Sequence, residues 1–192
     1  MRAVNFVVFL VVLLVAADVA YAQPASPRGK AYTQIGEDWI IVDYGRPILR
    51  GRTAIFGAGD TYGQSVNANA PVWRAGANKS TRFMTETALQ FGDNTLPAGE
   101  YSVFVDLKAD GWTLIFSNHA AKDNFQDSGD GLWGSYNYSA DQDVFRVPMA
   151  VEQMNASLDQ FTIFFMNVTD AGGTLGMAWE TTMASSAFTV AQ

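Results

Sequence analysis

Short runs of alternating apolar and polar residues, separated by turn residues, make up most of the chain after position 22. The alternation is clearest in residues 101–108, where one face of a strand would be apolar. That face consists of Tyr101, Val103, Val105 and Leu107. No apolar pattern with the 3.6-residue period of a helix extends over more than a few residues. The pattern predicts strands, with less than about a tenth of the residues helical, against about a third in an average protein.

Turn residues divide the chain into about ten predicted strands. Residues 31–35 and 39–44 pair across Gly36-Glu37-Asp38, and the second is apolar on both faces, which is typical of a strand covered on both sides. Asp110-Gly111 predicts a hairpin turn after residues 101–108. The other predicted strands are residues 81–86, 88–91, 112–116, 144–149, 160–167, 174–180 and 187–190.

So many short strands predict an all-β fold, and we expect a two-sheet antiparallel β-sandwich of the jelly-roll or immunoglobulin-like kind. Its core should be formed by the apolar faces of the central strands. The expected core residues are Ile41, Val103, Val105, Leu114, Phe116, Ile163, Phe165, Leu175 and Met177.

The first 22 residues have the three parts of a signal peptide. Arg2 is positively charged, residues 4–17 are almost wholly apolar, and Ala20-Tyr21-Ala22 is a small-residue cleavage site. The apolar run is too short to span a bilayer. We therefore expect cleavage after Ala22, which leaves residues 23–192 as one exported domain, periplasmic or extracellular. The chain has no Cys, so it has neither disulfides nor thiol chemistry.

Charge is distributed unevenly along the chain. The formal net charge is −7, yet residues 46–82 contain six basic side chains and a single acid, Asp60. The basic residues of this segment are Arg46, Arg50, Arg52, Arg74, Lys79 and Arg82. The overall acidity argues against nucleic acid or an anionic membrane surface as partner. We expect no membrane insertion and no cofactor.

Several short motifs occur in one order along the chain and together resemble a known family. They include Asp43-Tyr44-Gly45-Arg46-Pro47, Val72-Trp73-Arg74-Ala75-Gly76-Ala77-Asn78, Leu96-Pro97-Ala98-Gly99-Glu100-Tyr101-Ser102, Trp133-Gly134-Ser135-Tyr136 and Trp179-Glu180. The pattern resembles the secreted bacterial domain-of-unknown-function family 2911. Residues 64–71 and 120–131 lengthen two loops relative to the family pattern. The resemblance implies an exported compact domain and supplies no catalytic residues.

The two corners of the basic segment predict the place of a site. Arg46 and Arg74 each lie beside an aromatic residue and a glycine. The candidate binding residues are Tyr44, Arg46, Arg52, Trp73, Arg74, Asn78, Trp133 and Tyr136. In a structural interpretation, Arg46, Arg52 and Arg74 tie loops to backbone carbonyls and to acids such as Asp43, Glu86 or Glu180. In a functional one, the guanidinium groups bind a carboxylate, a phosphate or a sugar beside aromatic rings.

Two classes of function remain open. The first is a non-catalytic binding or accessory module for a glycan or small anionic ligand. The second is a glycoside hydrolase that acts on envelope or external polysaccharide through a carboxylate pair, whose spacing the sequence does not supply. The candidate carboxylates are Asp43, Glu86, Glu100, Asp106 and Glu180. The lone His119 lies in a predicted loop, which is typical of a solvated or hydrogen-bonded residue rather than a catalytic one.

An acidic loop is the one weak candidate for a metal site. Asp123, Asp127 and Asp130 are oxygen ligands of the kind that Ca²⁺ prefers. Their spacing is not that of an EF-hand, and no Glu closes a twelve-residue loop. A solvated acidic loop is the favoured interpretation.

Overall fold

The computed structural model describes residues 26–191, and the strands account for most of them. The predicted signal peptide and Gln23 lie outside this range. The strands are β1 (Arg28–Ile35), β2 (Asp38–Gly45), β3 (Thr81–Thr85), β4 (Leu89–Phe91), β5 (Asn94–Leu96), β6 (Gly99–Lys108), β7 (Gly111–Ser117), β8 (Asp143–Thr169) and β9 (Gly172–Val190). One short helix, α1 (Gln64–Asn67), and two 3-10 turns are the helical segments in this range. The predictions of an all-β fold and of very little helix are confirmed.

The nine strands of the described chain form one antiparallel sheet in the order β1-β2-β3-β6-β7-β8-β9-β4-β5. The two-sheet form of the prediction is not confirmed, because hydrogen bonds join every strand to the next across the whole order. The β1–β2 hairpin has the predicted turn, with Ile35 opposite Asp38. Lys108 lies opposite Gly111, as the Asp110-Gly111 turn predicts. None of the helices in residues 26–191 has the length and apolar character needed to cross a membrane.

The last four predicted strands are joined into two long ones. Residues 144–149 and 160–167 belong to β8, and residues 174–180 and 187–190 belong to β9. The exposed polar segment between the halves of β8 was predicted as a break, but pairing with β9 keeps it extended. The register shifts there: Gln153 lies opposite Thr182 and Leu158 opposite Glu180, so β8 bulges away from its partner.

The sheet folds back around one core. Phe91 of β4, near one end of the strand order, lies with its ring 4.9 Å from that of Phe116 in the middle. The hydroxyl of Tyr44 in β2 accepts a hydrogen bond from the backbone N–H of Ile163 in β8 at 3.0 Å. Of the predicted core, Val103, Val105, Leu114, Phe116, Ile163, Leu175 and Met177 are buried.

Two members of the predicted core are only half-buried, Ile41 and Phe165. The prediction that β2 is covered on both faces is wrong. Ile40 and Val42 point into the core, whereas Trp39 on the opposite face is 40% exposed. The run of apolar residues therefore reflects one buried face and one face that meets solvent, where Trp39 packs edge-on against Tyr32.

An aromatic cluster fills the end of the core below the connection between β2 and β3. Trp73 is at its centre, with its ring centroid 4.9 Å from that of Phe161 and 5.7 Å from that of Phe56. The ring of Trp179 stacks on that of Trp73 at 6.4 Å. Trp73 is fixed in this place by two backbone hydrogen bonds to Val105. These rings pack directly beneath the candidate site.

Candidate functional site

A cleft of about 310 Å³ opens between the β2–β3 connection, the 132–138 loop and β9. It brings together five of the eight predicted binding residues. They are Arg52, Trp73, Arg74, Asn78 and Tyr136. The other lining residues are Ser26, Pro47, Ser65, Val66, Ala68, Gly76, Ala77 and Trp179. The lining thus contains two arginines and no acidic residue.

Arg74 is the most deeply placed charge of the cleft. It is 7% exposed, and its guanidinium lies 5.1 Å from the centroid of the Tyr136 ring. On another side it approaches Gly134 so closely that a Cβ there would come within 2.4 Å of Nη1. Nη1 donates to the carbonyl of Asn78 at 3.2 Å, the single hydrogen bond that the guanidinium makes to the described residues. Four of its five N–H donors therefore have no hydrogen-bond partner among the described residues.

Arg52 forms the other positive wall of the cleft. Its Nε donates to the carbonyl of Leu49 at 3.0 Å, and Nη2 donates to that of Ile48 at 2.9 Å. Its guanidinium carbon lies 5.8 Å from the centroid of the Trp179 ring. These bonds match the structural interpretation, in which arginines tie loops to backbone carbonyls. They also hold the charge at the edge of the cleft.

The corners that carry Arg46 and Arg74 meet through their glycines. A Cβ on Gly45 would lie 2.0 Å from the carbonyl oxygen of Ala77, and one on Gly76 would lie 2.6 Å from the carbonyl oxygen of Gly45. Only glycine permits this approach. In the second corner Ala75 has a φ of 46°, and the Thr81 hydroxyl holds its carbonyl at 2.8 Å. The corner that shapes the cleft is thus fixed by contact between two backbones.

Three predicted site residues lie outside the cleft. Tyr44 is buried in the core, and its hydroxyl bonds to Ile163. Trp133 is half-buried and does not line the cleft. The Arg46 side chain packs over Gly29, and its Nε is buried without a hydrogen-bond partner among the described residues. Within residues 26–191 the Arg46 guanidinium makes none of the hydrogen bonds expected of it, although its corner does meet that of Arg74.

The predicted acid partners of the arginines bind elsewhere. Asp43 pairs with Arg28 at 2.8 Å, and Glu86 accepts from the backbone N–H of Trp39 at 2.7 Å. Glu180 accepts from two successive backbone N–H groups, those of Ala54 at 2.6 Å and Ile55 at 3.0 Å. The interpretation that pairs these acids with Arg46, Arg52 or Arg74 is wrong, because each acid has another partner nearer to it.

The remaining carboxylates considered for hydrolysis also have cationic neighbours. Glu100 pairs with Arg82 at 2.9 Å, and Asp106 lies 3.7 Å from both Lys108 and Arg146. None of the five candidate carboxylates lines the arginine cleft, but Glu180 lines a second cleft beside it. Neither cleft is lined by two carboxylates.

The acidic loop is held by ties within the protein. Asp123 pairs with Lys79, and this hydrogen bond keeps the pKa of the carboxyl below its usual value. Asp127 accepts from the backbone N–H of Gly129 at 2.9 Å, and Asp130 is exposed. No group of three or more His, Cys, Asp or Glu side chains within residues 26–191 is placed to hold a metal ion.

His119 likewise serves to anchor a loop. Its Nε2 lies 3.0 Å from the carbonyl oxygen and 3.2 Å from the backbone nitrogen of Ser139. Its ring contacts those of Phe104 and Tyr138. These contacts agree with the interpretation of a hydrogen-bonded loop residue.

Two sets of contacts in the region were not predicted from the sequence, those of the Trp179 ring and those of the Tyr138 hydroxyl. The Trp179 ring lies beneath Arg52, although Trp179 belongs to β9 and is far from Arg52 along the chain. In the sequence, Trp179 stands out only as part of the Trp179-Glu180 motif. Tyr138 donates to Asp143 at 2.6 Å and accepts from Arg146 at 2.7 Å. Burial, and then the bond to Asp143, raise the pKa of Tyr138 well above its ordinary value. The network braces the loop that carries Tyr136.

The protein is thus an all-β chain of acidic composition with one cleft whose lining contains two arginines, Tyr136 and two buried tryptophans. The family described as protein of unknown function (DUF2911) matches residues 26–188, and the chain belongs to that family. No curated protein and no solved structure matches it.

Proposed function

We propose that this chain is a non-catalytic binding or accessory module that takes a small anionic ligand, or the acidic group of a glycan, in the Arg52–Arg74 cleft. The observation that carries the proposal is the charge of the lining: two arginines and no acid. Because the whole chain has a formal net charge of −7, this cleft is a local exception. An anion would be attracted to it specifically.

The geometry of Arg74 supports binding of a carboxylate or a phosphate. A guanidinium presents paired N–H groups that match the two oxygens of such an anion. The burial of Arg74 strengthens this attraction because water screens it less. Its ring contact with Tyr136 and the glycine at position 134 hold the group in one orientation, so little freedom is lost when a ligand binds.

The Tyr136 ring supports a ligand with an organic body. Tyr136 is 43% exposed, whereas Trp179 is 3% exposed and lies under Arg52, so Tyr136 is the ring that a ligand can contact. A cleft with convergent polar groups and aromatic walls is typical of small-molecule sites. A larger cleft of about 500 Å³ near residue 191 is lined by no aromatic ring and one charge, Asp170, so we do not assign the site there.

Calorimetry and thermal shift with four probes test the proposal: inorganic phosphate, citrate, galacturonate and the neutral sugar galactose. We expect at least one anionic probe to bind and raise the melting temperature, and galactose not to bind in the cleft. Binding should weaken as salt rises. If no anionic probe binds, the proposal is wrong.

Arg74→Met separates the structural from the functional role of that residue. The variant keeps most of the packing and loses one hydrogen bond, so it should cost on the order of 1 kcal/mol of stability while weakening anion binding at least about tenfold. Arg50→Met is the matched control, since Arg50 is exposed and lies outside the lining. A large loss of stability with unchanged binding would leave Arg74 a purely structural residue.

We also propose that the protein is exported and processed after Ala22. The support is the order of charged, apolar and small residues in positions 1–22. Mass spectrometry of the protein recovered outside the cytoplasm should give Gln23 as the first residue. A chain that keeps Met1 in the membrane fraction would contradict this. The hydrolase alternative stays a prediction, and neither cleft provides a carboxylate pair in its favour.

A further inference from the structure

A second cleft, of about 320 Å³, lies beside the arginine cleft. Its polar lining consists of Glu180, Gln153, Thr181 and Thr182, and its aromatic lining consists of Phe56 and Tyr62. No basic residue lines it. The second cleft therefore differs from the first in chemistry, as it presents hydroxyl, amide and carboxylate groups next to two rings.

The two clefts share their walls. Trp179 lines the first and Glu180 the second, so adjacent residues of β9 face the two spaces. In the β2–β3 connection, Arg52 lines the first and Ala54 the second. The Phe56 ring lies 6.2 Å from that of Trp179, centroid to centroid. One loop and one aromatic layer thus separate the clefts.

Hydrogen bonds fix the polar groups of the second cleft. The Gln153 amide donates to the Thr182 hydroxyl at 3.4 Å and accepts from that of Thr181 at 3.2 Å. The Tyr62 hydroxyl accepts from the Trp112 indole at 2.9 Å, which leaves its own hydrogen to donate. Glu180 is held by the two backbone N–H groups of Ala54 and Ile55.

These groups suit a ligand rich in hydroxyl groups. Amides and hydroxyls both donate and accept, as sugar hydroxyls do. The half-buried Tyr62 ring is the aromatic surface of this cleft against which the C–H face of a sugar can pack, and the buried Phe56 ring stacks on it with an interplanar angle of 23°. A cleft with an acid and no cation would not favour a second anionic group.

We propose that the two clefts together bind one acidic oligosaccharide, whose carboxylate or phosphate group lies in the arginine cleft and whose neighbouring sugar lies in the Gln153–Thr181 cleft. The proposal rests on the proposed function of the arginine cleft and adds the ligand class. The two sites are joined by the ligand itself, so binding at the second becomes intramolecular once the first is filled. An oligomer should therefore bind more tightly than its monomer.

Calorimetry tests this proposal with galacturonate, glucuronate and mannuronate as monomers, with tetramers in which one such acidic residue is joined to neutral hexoses, and with a wholly neutral hexose tetramer. At least one tetramer should bind about tenfold or more tightly than its monomer. The Gln153→Ala, Thr181→Val double variant should reduce that tetramer to near the affinity of its monomer and leave the monomer unchanged. Gln126→Ala, an exposed glutamine outside both clefts, is the matched control and should change neither.

The outcomes distinguish this inference from the proposed function. If monomers bind but every tetramer binds no better, or if the double variant has no effect, the second cleft is not a sugar site and the anion site stands. If a neutral tetramer binds as tightly as an acidic one and Arg74→Met does not weaken it, the acidic class is wrong. If no acidic probe of either length binds, the proposed function fails as well.

Discussion

Arg74 combines deep burial with hydrogen-bond donors that are nearly unused. A buried cation without a counter-ion costs free energy, and the usual remedy is a carboxylate. Here the guanidinium has a carbonyl, a tyrosine ring and a glycine around it instead. Glu180, which lines the second cleft, is held by the backbone N–H groups of Ala54 and Ile55. The arrangement keeps the positive charge available, which is what an anion site requires.

Tyr44 shows that an aromatic residue beside an arginine can be purely structural. We predict that Tyr44→Phe lowers the free energy of unfolding by about 1–3 kcal/mol, because the buried N–H of Ile163 loses its acceptor. Urea denaturation measures the change. Tyr32→Phe is the control, since Tyr32 is 66% exposed and should change stability by less than about 0.5 kcal/mol. Equal effects of the two variants would mean that the Tyr44 hydroxyl bonds contribute nothing.

Tyr138 should make stability depend on alkaline pH. Its pKa is raised in the folded state, first by burial and then by Asp143, and burial raises that of Tyr101 as well. Below the ordinary tyrosine pKa of about 10, Tyr138 keeps its proton in both the folded and the unfolded state, and its contribution to stability is fully present. As pH rises above that value, only the unfolded state loses the proton, so stability falls.

The urea midpoint measured between pH 8 and 12 should therefore decrease from about pH 10 upward. Tyr138→Phe should lower the midpoint at pH 8, because the bonds to Asp143 and Arg146 are lost. It should also make the alkaline decrease shallower. A midpoint that falls equally steeply in both proteins would show that Tyr138 is not the responsible group.

The β2–β3 connection is the element that builds both clefts. It leaves β2 at Gly45, contributes Arg52 to one cleft and Phe56 to the other, and returns at the corner of Arg74. Strand hydrogen bonds support it at few points, among them the bridge between Trp73 and Val105. Its shape depends on side-chain ties and on the contact between Gly45 and Ala77.

Gly45→Ala should destabilise the protein by about 1–3 kcal/mol or more, because the new Cβ would overlap the carbonyl oxygen of Ala77 and force the two corners apart. Thermal denaturation measures the effect. Gly111→Ala is the matched control: no atom lies within 4 Å of a Cβ there, and its φ is not positive. A Gly45→Ala protein as stable as the control variant would mean that the corners move apart without cost.

The whole molecule is organised by the long β8–β9 hairpin. The first part of β8 pairs with β7, and the rest pairs with β9, which in turn pairs with β4. The two halves of the sheet therefore share a strand, and they also share the core, since Phe91 and Phe116 are in contact. If either half of the sheet lost its packing, the core residues of the other half would be exposed to water.

Unfolding should accordingly be a single cooperative transition. Tryptophan fluorescence reports mainly the cluster of Trp73, Trp112 and Trp179, and far-UV circular dichroism reports the strands throughout. We expect the two signals to change at the same urea concentration. Two separated transitions would show that the halves of the sheet are independent.

Most of the strands could be predicted from the sequence because the alternation of apolar residues is local. The core residues of β6 and β7, such as Val105 and Leu114, followed from that period alone. The two corners could also be located, because Gly and Pro restrict the backbone wherever they occur. Five of the eight predicted site residues line one cleft for this reason: the β2–β3 connection that carries four of them is one continuous segment.

The all-β class, most strand faces and the segment that supplies most of the cleft lining therefore follow from the sequence. The tertiary structure decided which groups meet. Trp179 and Glu180 lie in a strand that the sequence predicts, but they reach the two clefts because β9 pairs with β8, which is hydrogen-bonded to the β2–β3 connection at Pro47 and Leu49. The acids expected beside the arginines found nearer partners in Arg28 and in backbone N–H groups. The contact of Arg28 with Asp43 joins residues 15 positions apart and that of Ala54 with Glu180 joins residues 126 positions apart, and the pairing of strands, rather than any local pattern, sets both.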